Sequence, residues 1–318
     1  MSEHPPVLAI EIGGTKLQMA IYCEDLVPRE FRRARVEVAA GAPGIVAWME
    51  RESAGLIEAA RSQGAPIGAA GIGFGGPIES ATGKVLVSHQ IAGWQGFELK
   101  TWFEERFGIP AVVANDANAA GWAEYVLGAG RGTRNFVYNN IGSGIGGALV
   151  VEGRLYDGQG LGACEIGHTQ VPDWSAPAPG ASDKLENLCS GWAIEKRLRS
   201  AASPPPGTPL HALCQGDPGQ LTCQMLGEAA RLGDAQAGAE LERVGNAVGI
   251  ALANVLTLLH PERIALGGGV PLMGEVLLDP IRRSVARHVF GVYQNRYEIV
   301  PCERGENVVL DGAALLAG

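Results

Sequence analysis

The sequence predicts an α/β protein of two lobes, and three observations carry that expectation. The apolar run Val7–Ile12 stops at Gly13-Gly14-Thr15-Lys16 and resumes as the alternating Leu17, Met19 and Ile21, which reads as strand, tight turn, strand. Glycine turns recur at strand ends, since Gly142 to Gly147 follow a β-prone stretch at 135–141 and Gly267-Gly268-Gly269 follow the apolar Arg263 to Leu266. Helix-period segments alternate with these strands. The longest, residues 235–260, places Leu241, Val244, Val248, Leu252, Val255 and Leu259 in steps of three and four. Phosphate cradles assembled from two lobes have this appearance.

In the first turn the Gly13-Gly14 pair is expected to supply the positive φ angles of a two-residue hairpin. Glu11 precedes it, and Thr15 and Lys16 follow. Backbone N–H groups with no side chain in the way form a concave anion site, and a neighbouring carboxylate can hold magnesium through water. An ordinary hairpin with a charge at each end fits the same residues. Residues 31–38 read as a third, more polar strand. Pro43 opens a helix to about residue 61, with Ile45, Trp48, Met49 and Leu56 on one face.

A strand over 67–74 runs into Gly75-Gly76-Pro77, and Leu99–Phe107 suggests a helix. After a short buried strand at 111–114 comes Asn115-Asp116-Ala117-Asn118, opening a helix to about residue 127. Asp116 there suits a helix N-cap. It equally suits a general base at a strand end, with Asn115 as its hydrogen-bonding neighbour. Residues 135–156 form a strand pair or meander, and 172–181 and 203–207 are loops. Glu165-Ile166-Gly167-His168 and then Glu186 group carboxylates with a histidine, a set suited to sugar hydroxyls, which both donate and accept. A packed histidine and two solvated acids would look the same. The long helix leads through Pro261 into the strand before the glycine triplet, and residues 311–317 suggest a short last helix.

At 318 residues the chain suits one large or two medium domains. Its 46 glycines are about twice the usual share of roughly 7%, so close backbone approaches are numerous. A net charge of −9 argues against nucleic-acid or anionic-membrane partners. Six cysteines without a C-x-x-C pair imply free thiols in a reducing compartment. The start, MSEHPPVLAIEIGG, lacks a basic region and a long enough apolar run for a signal peptide. No segment approaches ~20 apolar residues. A cytoplasmic protein is expected.

These pieces fit a family. EIGGTK, GFGGP, NDANAA, IGSGIGG, EIGH and LGGG, in this order and spacing over essentially the whole chain, resemble the ROK family of sugar kinases, regulators and related open reading frames. The fold the resemblance implies is the two-lobed, actin-like α/β ATPase fold shared by acetate and sugar kinases, heat-shock chaperones and actin. ATP would lie between the lobes with the sugar deeper in the cleft. The lobes are expected at 1–115 and 116–302, with a segment at about 303–318 packing back on the first.

The resemblance makes Asp116 the catalytic base. It makes Gly13, Gly14, Thr15 and Lys16 the first phosphate turn, and Gly142, Ser143 and Gly144 the second. Gly268 and Gly269 fall beside the adenosine. Gly76, Asn115, Asp116, Glu165, His168 and Glu186 match the sugar side. ATP and Mg2+ are the implied cofactors, and a homodimer or homotetramer is the implied assembly.

Three departures from the family pattern stand out. Glu11 replaces the usual Asp and is one methylene longer. Gly73-Phe74-Gly75-Gly76-Pro77 lacks one proline of the family's G-x-P-G-P. The cysteine-rich zinc loop that many members carry after the E-x-G-H histidine is replaced by PDWSAPAPGASDKLE, which has no cysteine. A tetrahedral zinc cannot be built from His168 alone, so no structural zinc is expected.

The leading reading is an ATP-dependent hexose kinase, with a polyphosphate-dependent glucokinase as its variant. A sugar-sensing ROK regulator without kinase activity is the alternative, although strand-forming sequence from Val7 and the acidic charge leave little for a DNA-binding domain. Gly142, Gly144 and Gly147 also spell G-x-G-x-x-G. The dinucleotide fingerprint needs a helix directly afterwards, whereas ALVVEGRLY reads as strand and turn.

Overall fold

The computed structural model describes residues 5–88 and 91–318. The first four residues, part of the start read above as lacking a leader, lie outside the described residues. In chain order come β1 (Val7–Ile12), β2 (Lys16–Tyr22), β3 (Arg29–Arg35), α1 (Gly41–Ser62), β4 (Ala69–Phe74), β5 (Ile78–Glu79), β6 (Lys84–Val85), α2 (Leu99–Phe107), β7 (Ala111–Asn115) and α3 (Asp116–Leu127). There follow β8 (Phe136–Ile141), β9 (Ile145–Val151), β10 (Arg154–Leu155), β11 (Gln170–Pro172), β12 (Ser182–Lys184), α4 (Leu185–Cys189) and α5 (Gly191–Ser200). The rest is α6 (Pro209–Leu213), α7 (Cys223–Arg231), α8 (Ala235–Leu259), β13 (Arg263–Gly267), α9 (Glu275–His288), β14 (Glu298–Pro301) and α10 (Val308–Ala317).

The chain divides into two compact units, one of Met1–Arg131, Ala148–Ala163 and Glu303–Gly318, the other of Gly132–Gly147 and Cys164–Cys302. The division therefore differs from a simple cut after residue 115. Helix α3 stays with the first unit because α10 lies on it so closely that a Cβ at Gly312 would come within 1.8 Å of the Ala119 carbonyl.

In the first unit a five-stranded sheet has the order β3-β2-β1-β4-β7. The β1–β2 and β2–β3 pairs are antiparallel, and β1–β4 and β4–β7 are parallel. On one face α1 buries Ile45, Trp48, Met49 and Leu56, the stripe its periodicity predicts, and α2 adds Leu99 and Phe103. On the other face Leu310, Ala313 and Ala314 of α10 pack on Ala9, Ala20 and Tyr22. Small residues make that approach possible, since a Cβ at Gly71 would fall 1.9 Å from the Ala313 carbonyl oxygen.

A buried polar network anchors the same segment. The Asp311 carboxylate accepts from the Tyr22 hydroxyl at 2.7 Å and from Arg304 Nε and Nη2 at 3.0 and 2.7 Å. Glu124 of α3 accepts from the backbone N–H groups of Glu303 and Arg304. Burial first, then the bond to Asp311 and the Asp311 charge, push the ionisation of Tyr22 well above the ordinary tyrosine range, with Arg304 opposing. The folded state thus holds this proton more tightly than the unfolded chain. That contribution is complete below pH about 10 and is lost as the pH rises beyond it. In a Tyr22→Phe variant the alkaline fall of stability above pH about 10 should be shallower; an unchanged slope in pH-resolved urea melts would remove Tyr22 as its source.

The second sheet has the order β10-β9-β8-β13-β14, with β8–β13 and β13–β14 parallel. After Gly142 to Gly144 the chain continues as strand β9, not helix, which agrees with rejecting the dinucleotide fingerprint. Strand β3 is shifted from the predicted 31–38 to Arg29–Arg35. The predicted loop at 172–181 is the tip of a β11–β12 hairpin. Helix α9 escaped sequence reading because Pro280 lies inside it. Proline normally breaks a helix. Here its ring packs against α8 at Gly245, where a Cβ would come within 2.4 Å of Pro280 Cβ.

Candidate active site

The first unit supplies the candidate base and one phosphate turn. Asp116 is the first residue of α3, and its Oδ1 accepts from the Ala117 N–H at 2.8 Å. The N-cap is Asn115, not Asp116: Asn115 Oδ1 accepts from Ala117 N at 2.9 Å and Asn118 N at 3.2 Å. Asn115 is the last residue of β7 with extended backbone angles, the geometry a cap requires, whereas Asp116 already lies in the helix. Asp116 therefore shares the Ala117 N–H without being the cap, and the helix N-terminus favours its negative charge. Asn115 Nδ2 donates to the Gly76 carbonyl at 3.1 Å, which fixes the Gly75-Gly76-Pro77 loop to the same strand end.

The Gly13 to Lys16 turn adjoins this loop. Gly75 N–H donates to the Ile12 carbonyl at 2.8 Å. A Cβ at Gly75 would sit 3.4 Å from Asp116 Oδ2 and 3.6 Å from Gly13 Cα, so carboxylate, loop and turn converge. The expected reason for glycine at Gly13 needs correcting. Neither Gly13 nor Gly14 lies in the left-handed region; what Gly13 provides is room, because a Cβ would lie 3.0 Å from the Lys16 carbonyl oxygen that its N–H bonds.

Glu11 is buried beneath this turn. Its carboxylate takes Lys16 Nζ at 3.4 Å and a hydrogen bond from Gln18 Nε2. Burial pushes its ionisation up, opposed by Lys16 and Gln18. Gln18 Oε1 is buried and has no hydrogen-bond partner. Sequence reading missed Gln18, although a polar residue at a buried, alternating strand position was the available signal.

The second unit supplies the other glycine turns and the sugar-type residues. Gly142 N–H donates to the Gly144 carbonyl at 2.9 Å, closing the turn tightly. Gly268 has φ +87°, and a Cβ there would fall 2.5 Å from the Ile141 carbonyl oxygen, so the third turn lies directly against the strand end that begins the second. Around Gly269 nothing comes within 4 Å of a Cβ position, which leaves that backbone open. Glu165 and His168 are both exposed; Glu165 caps a single 3-10 turn, Ile166–His168, and His168 ends it, its N–H donating to the Glu165 carbonyl at 3.0 Å. Glu186, in the first turn of α4, accepts from Ile145 N–H through Oε2 at 2.7 Å. One of its oxygens is therefore engaged by the backbone that follows the second phosphate turn.

The hairpin that stands in place of a zinc loop is held by other means. Asp173 Oδ1 accepts from Ser175 N and Oγ and from Ala176 N, bonds that lower its carboxyl below the usual range. The Trp174 ring is half-buried rather than enclosed, with the Arg197 guanidinium 5.2 Å from its centroid. Arg197 Nε and Nη2 both donate to Glu240 Oε1, at 3.0 and 2.6 Å. Pro172, Pro177 and Pro179 are exposed. The Arg197–Glu240 pair was missed; its signal was an acid within the apolar stripe of α8, between Ala237 and Leu241. Burial pushes the Cys164 thiol up to about 12 and that of Cys189 higher still, which disfavours the thiolates that zinc needs.

The sequence matches the ROK family over residues 7–318. This chain belongs to the ROK family. A glucokinase of Streptomyces coelicolor is 32% identical over 314 residues, spanning 98% of this chain and 96% of that protein. A glucokinase of Thermotoga maritima is 30% identical over 312 residues, spanning 97% and 96%. The crystal structure of a ROK family glucokinase from Streptomyces griseus, in complex with glucose and AMPPNP, aligns with TM-score 0.80 at 31% identity over 98% of this chain and 99% of that one. The two α/β units are accordingly those of the actin-like fold of ROK sugar kinases, as the motifs led one to expect.

Proposed function

We propose that this ROK protein phosphorylates a hexose hydroxyl with ATP, and that glucose or a related hexose or N-acetylhexosamine is the acceptor. The observation that carries the reading is the convergence of Asp116 Oδ2, the Gly75 loop and the Gly13 turn in the first unit. A carboxylate that is not the helix cap stands with its Oδ2 beside a phosphate-type turn. In the proposed reaction Asp116 takes the proton of the sugar hydroxyl as that oxygen attacks the γ-phosphoryl in line. The first turn, Gly13 to Thr15 with the Lys16 ammonium, and the second, Gly142 to Gly144, meet the phosphates through N–H groups other than those of Gly13 and Gly142, which close their own turns. Gly268 and Gly269 accept the adenosine side. Glu165, His168, Glu186, Asn115 and Gly76 orient the sugar.

Among the described residues no three His, Cys, Asp or Glu side chains form a metal-binding group. Magnesium asks for less, since it keeps several waters and takes one or two carboxylates plus substrate phosphates. Glu11 and the orphaned Gln18 Oε1 offer hard oxygen donors beside the first turn and fit that demand. A magnesium held there would supply neutralisation of phosphate charge. Among the described residues zinc has no comparable donor set. Elemental analysis should find well under one zinc per chain, and activity lost to a strong chelator should return fully with magnesium alone. One zinc per chain would overturn this and make Cys164 or Cys189 a ligand.

A coupled assay over glucose, mannose, fructose and N-acetylated hexosamines, each with ATP and with polyphosphate, tests the reaction and names its donor. Absence of phosphorylation across the panel, with sugar binding retained, would favour the regulatory alternative. The proposed homodimer or homotetramer is read by light scattering. A cytoplasmic location is part of the proposal, and no described helix is long and apolar enough to cross a membrane.

A further inference from the structure

We infer that Glu186 is a positioning residue for the second phosphate turn, and that Ile145 couples sugar binding to nucleotide binding within the second unit. The inference rests on the kinase reading above. Ile145 is the first residue after the Gly142 to Gly144 turn, and both of its backbone polar groups face the sugar-type residues. Its N–H donates to Glu186 Oε2 at 2.7 Å. Its carbonyl abuts Gly167, where a Cβ would fall 2.3 Å from Ile145 O. Gly167 lies between Glu165 and His168, so the turn presenting those two side chains rests directly on the backbone leaving the phosphate turn. Gly144 is equally constrained, since a Cβ there would come within 2.6 Å of Glu186 Oε2.

The connections around this node are short and polar. Leu185 N–H donates to the Thr169 carbonyl at 2.9 Å, and the Thr169 hydroxyl donates to the Ile166 carbonyl at 2.7 Å, which ties α4 to the sugar-side turn. Past α4, Gly191 N–H donates to the Gly142 carbonyl at 2.7 Å. Residues 165–191 thus grip the glycine turn at both flanks, Gly142 and Ile145. A backbone N–H to a carboxylate is a charge-assisted bond, stronger than a neutral one. A sugar that orders the Glu165–His168 turn, or draws on Glu186, therefore changes how firmly the phosphate turn is held. By linkage the nucleotide acts back on the sugar by the same factor.

Calorimetry with AMPPNP, without sugar and with saturating glucose, tests this on the wild type, Glu186→Gln and Glu186→Ala, each first shown to melt as the wild type does. Glucose should tighten AMPPNP binding to the wild type by about 5-fold or more. Glu186→Gln keeps an oxygen that accepts from Ile145 N–H, so its sugar-free nucleotide affinity should match the wild type. Glu186→Ala should weaken sugar-free nucleotide binding several-fold and bring the glucose effect close to one. A residue serving the sugar alone would leave the sugar-free AMPPNP affinity untouched in both variants, and that result overturns the inference. So does a wild type in which glucose has no effect on AMPPNP. Failure of the kinase reading is seen separately, as absence of phosphorylated product from the wild-type protein.

Discussion

Asp116→Asn should lower kcat by about 10²–10⁴-fold, the usual cost of removing a general base. Sugar and nucleotide binding should persist. The reason for expecting so clean a loss is structural: the α3 cap belongs to Asn115, whose Oδ1 accepts from Ala117 N and Asn118 N, and Asp116 only shares the first of these N–H groups. Asparagine at residue 116 still offers an oxygen to Ala117 N–H, the bond Asp116 Oδ1 makes at 2.8 Å. Thermal melting should match the wild type. Turnover within a few-fold of wild type would mean that another group takes the sugar proton. Asn115→Ala makes the contrast, since losing the cap costs ~1 kcal/mol of stability and frees the Gly76 loop as well.

Asp311→Ala is the largest stability loss expected in the first unit. Only 3% of the Asp311 side chain is exposed, and it serves both Tyr22 and Arg304. Removing one partner of a buried ion pair costs ~3–5 kcal/mol. Arg304 keeps 35% exposure and regains some hydration, which places the expected loss near the lower end. Urea unfolding followed by intrinsic fluorescence gives the number. A change well under ~1 kcal/mol would show that the network is not what holds α10 to the sheet. Asp311→Asn, which still accepts from Tyr22, should lose less.

How far these features were legible in the sequence depended on the range of the interactions behind them. Strands β1 and β2 were readable from alternation around Gly13-Gly14, and α8 from its three-and-four spacing, because both patterns are local. NDANAA marked a strand end meeting a helix start, yet the cap went to the wrong residue. Asn and Asp cap about equally well, and only the backbone angles at Asn115 distinguish them. Helix α9 was invisible because the room for Pro280 comes from Gly245, on a different helix. The bond from Ile145 to Glu186 joins residues 41 apart, and no spacing rule connects them. Gly13 taught a related lesson: its place was foreseen, but its purpose is space for Lys16 O rather than handedness.

The seating of α10 has a consequence for how the protein is made. The grooves at Ala9, Ala20 and Gly71 that receive α10 leave the ribosome early, while the helix that fills them emerges only after the whole of the second unit has been translated. Until then the nascent first unit shows water an apolar sheet face, and Tyr22 lacks its Asp311 partner. Such surfaces invite aggregation or chaperone capture during synthesis. Slow elongation through residues 132–302 should therefore lower soluble yield, and supplying the 303–318 segment in trans as a peptide should protect arrested chains from proteolysis.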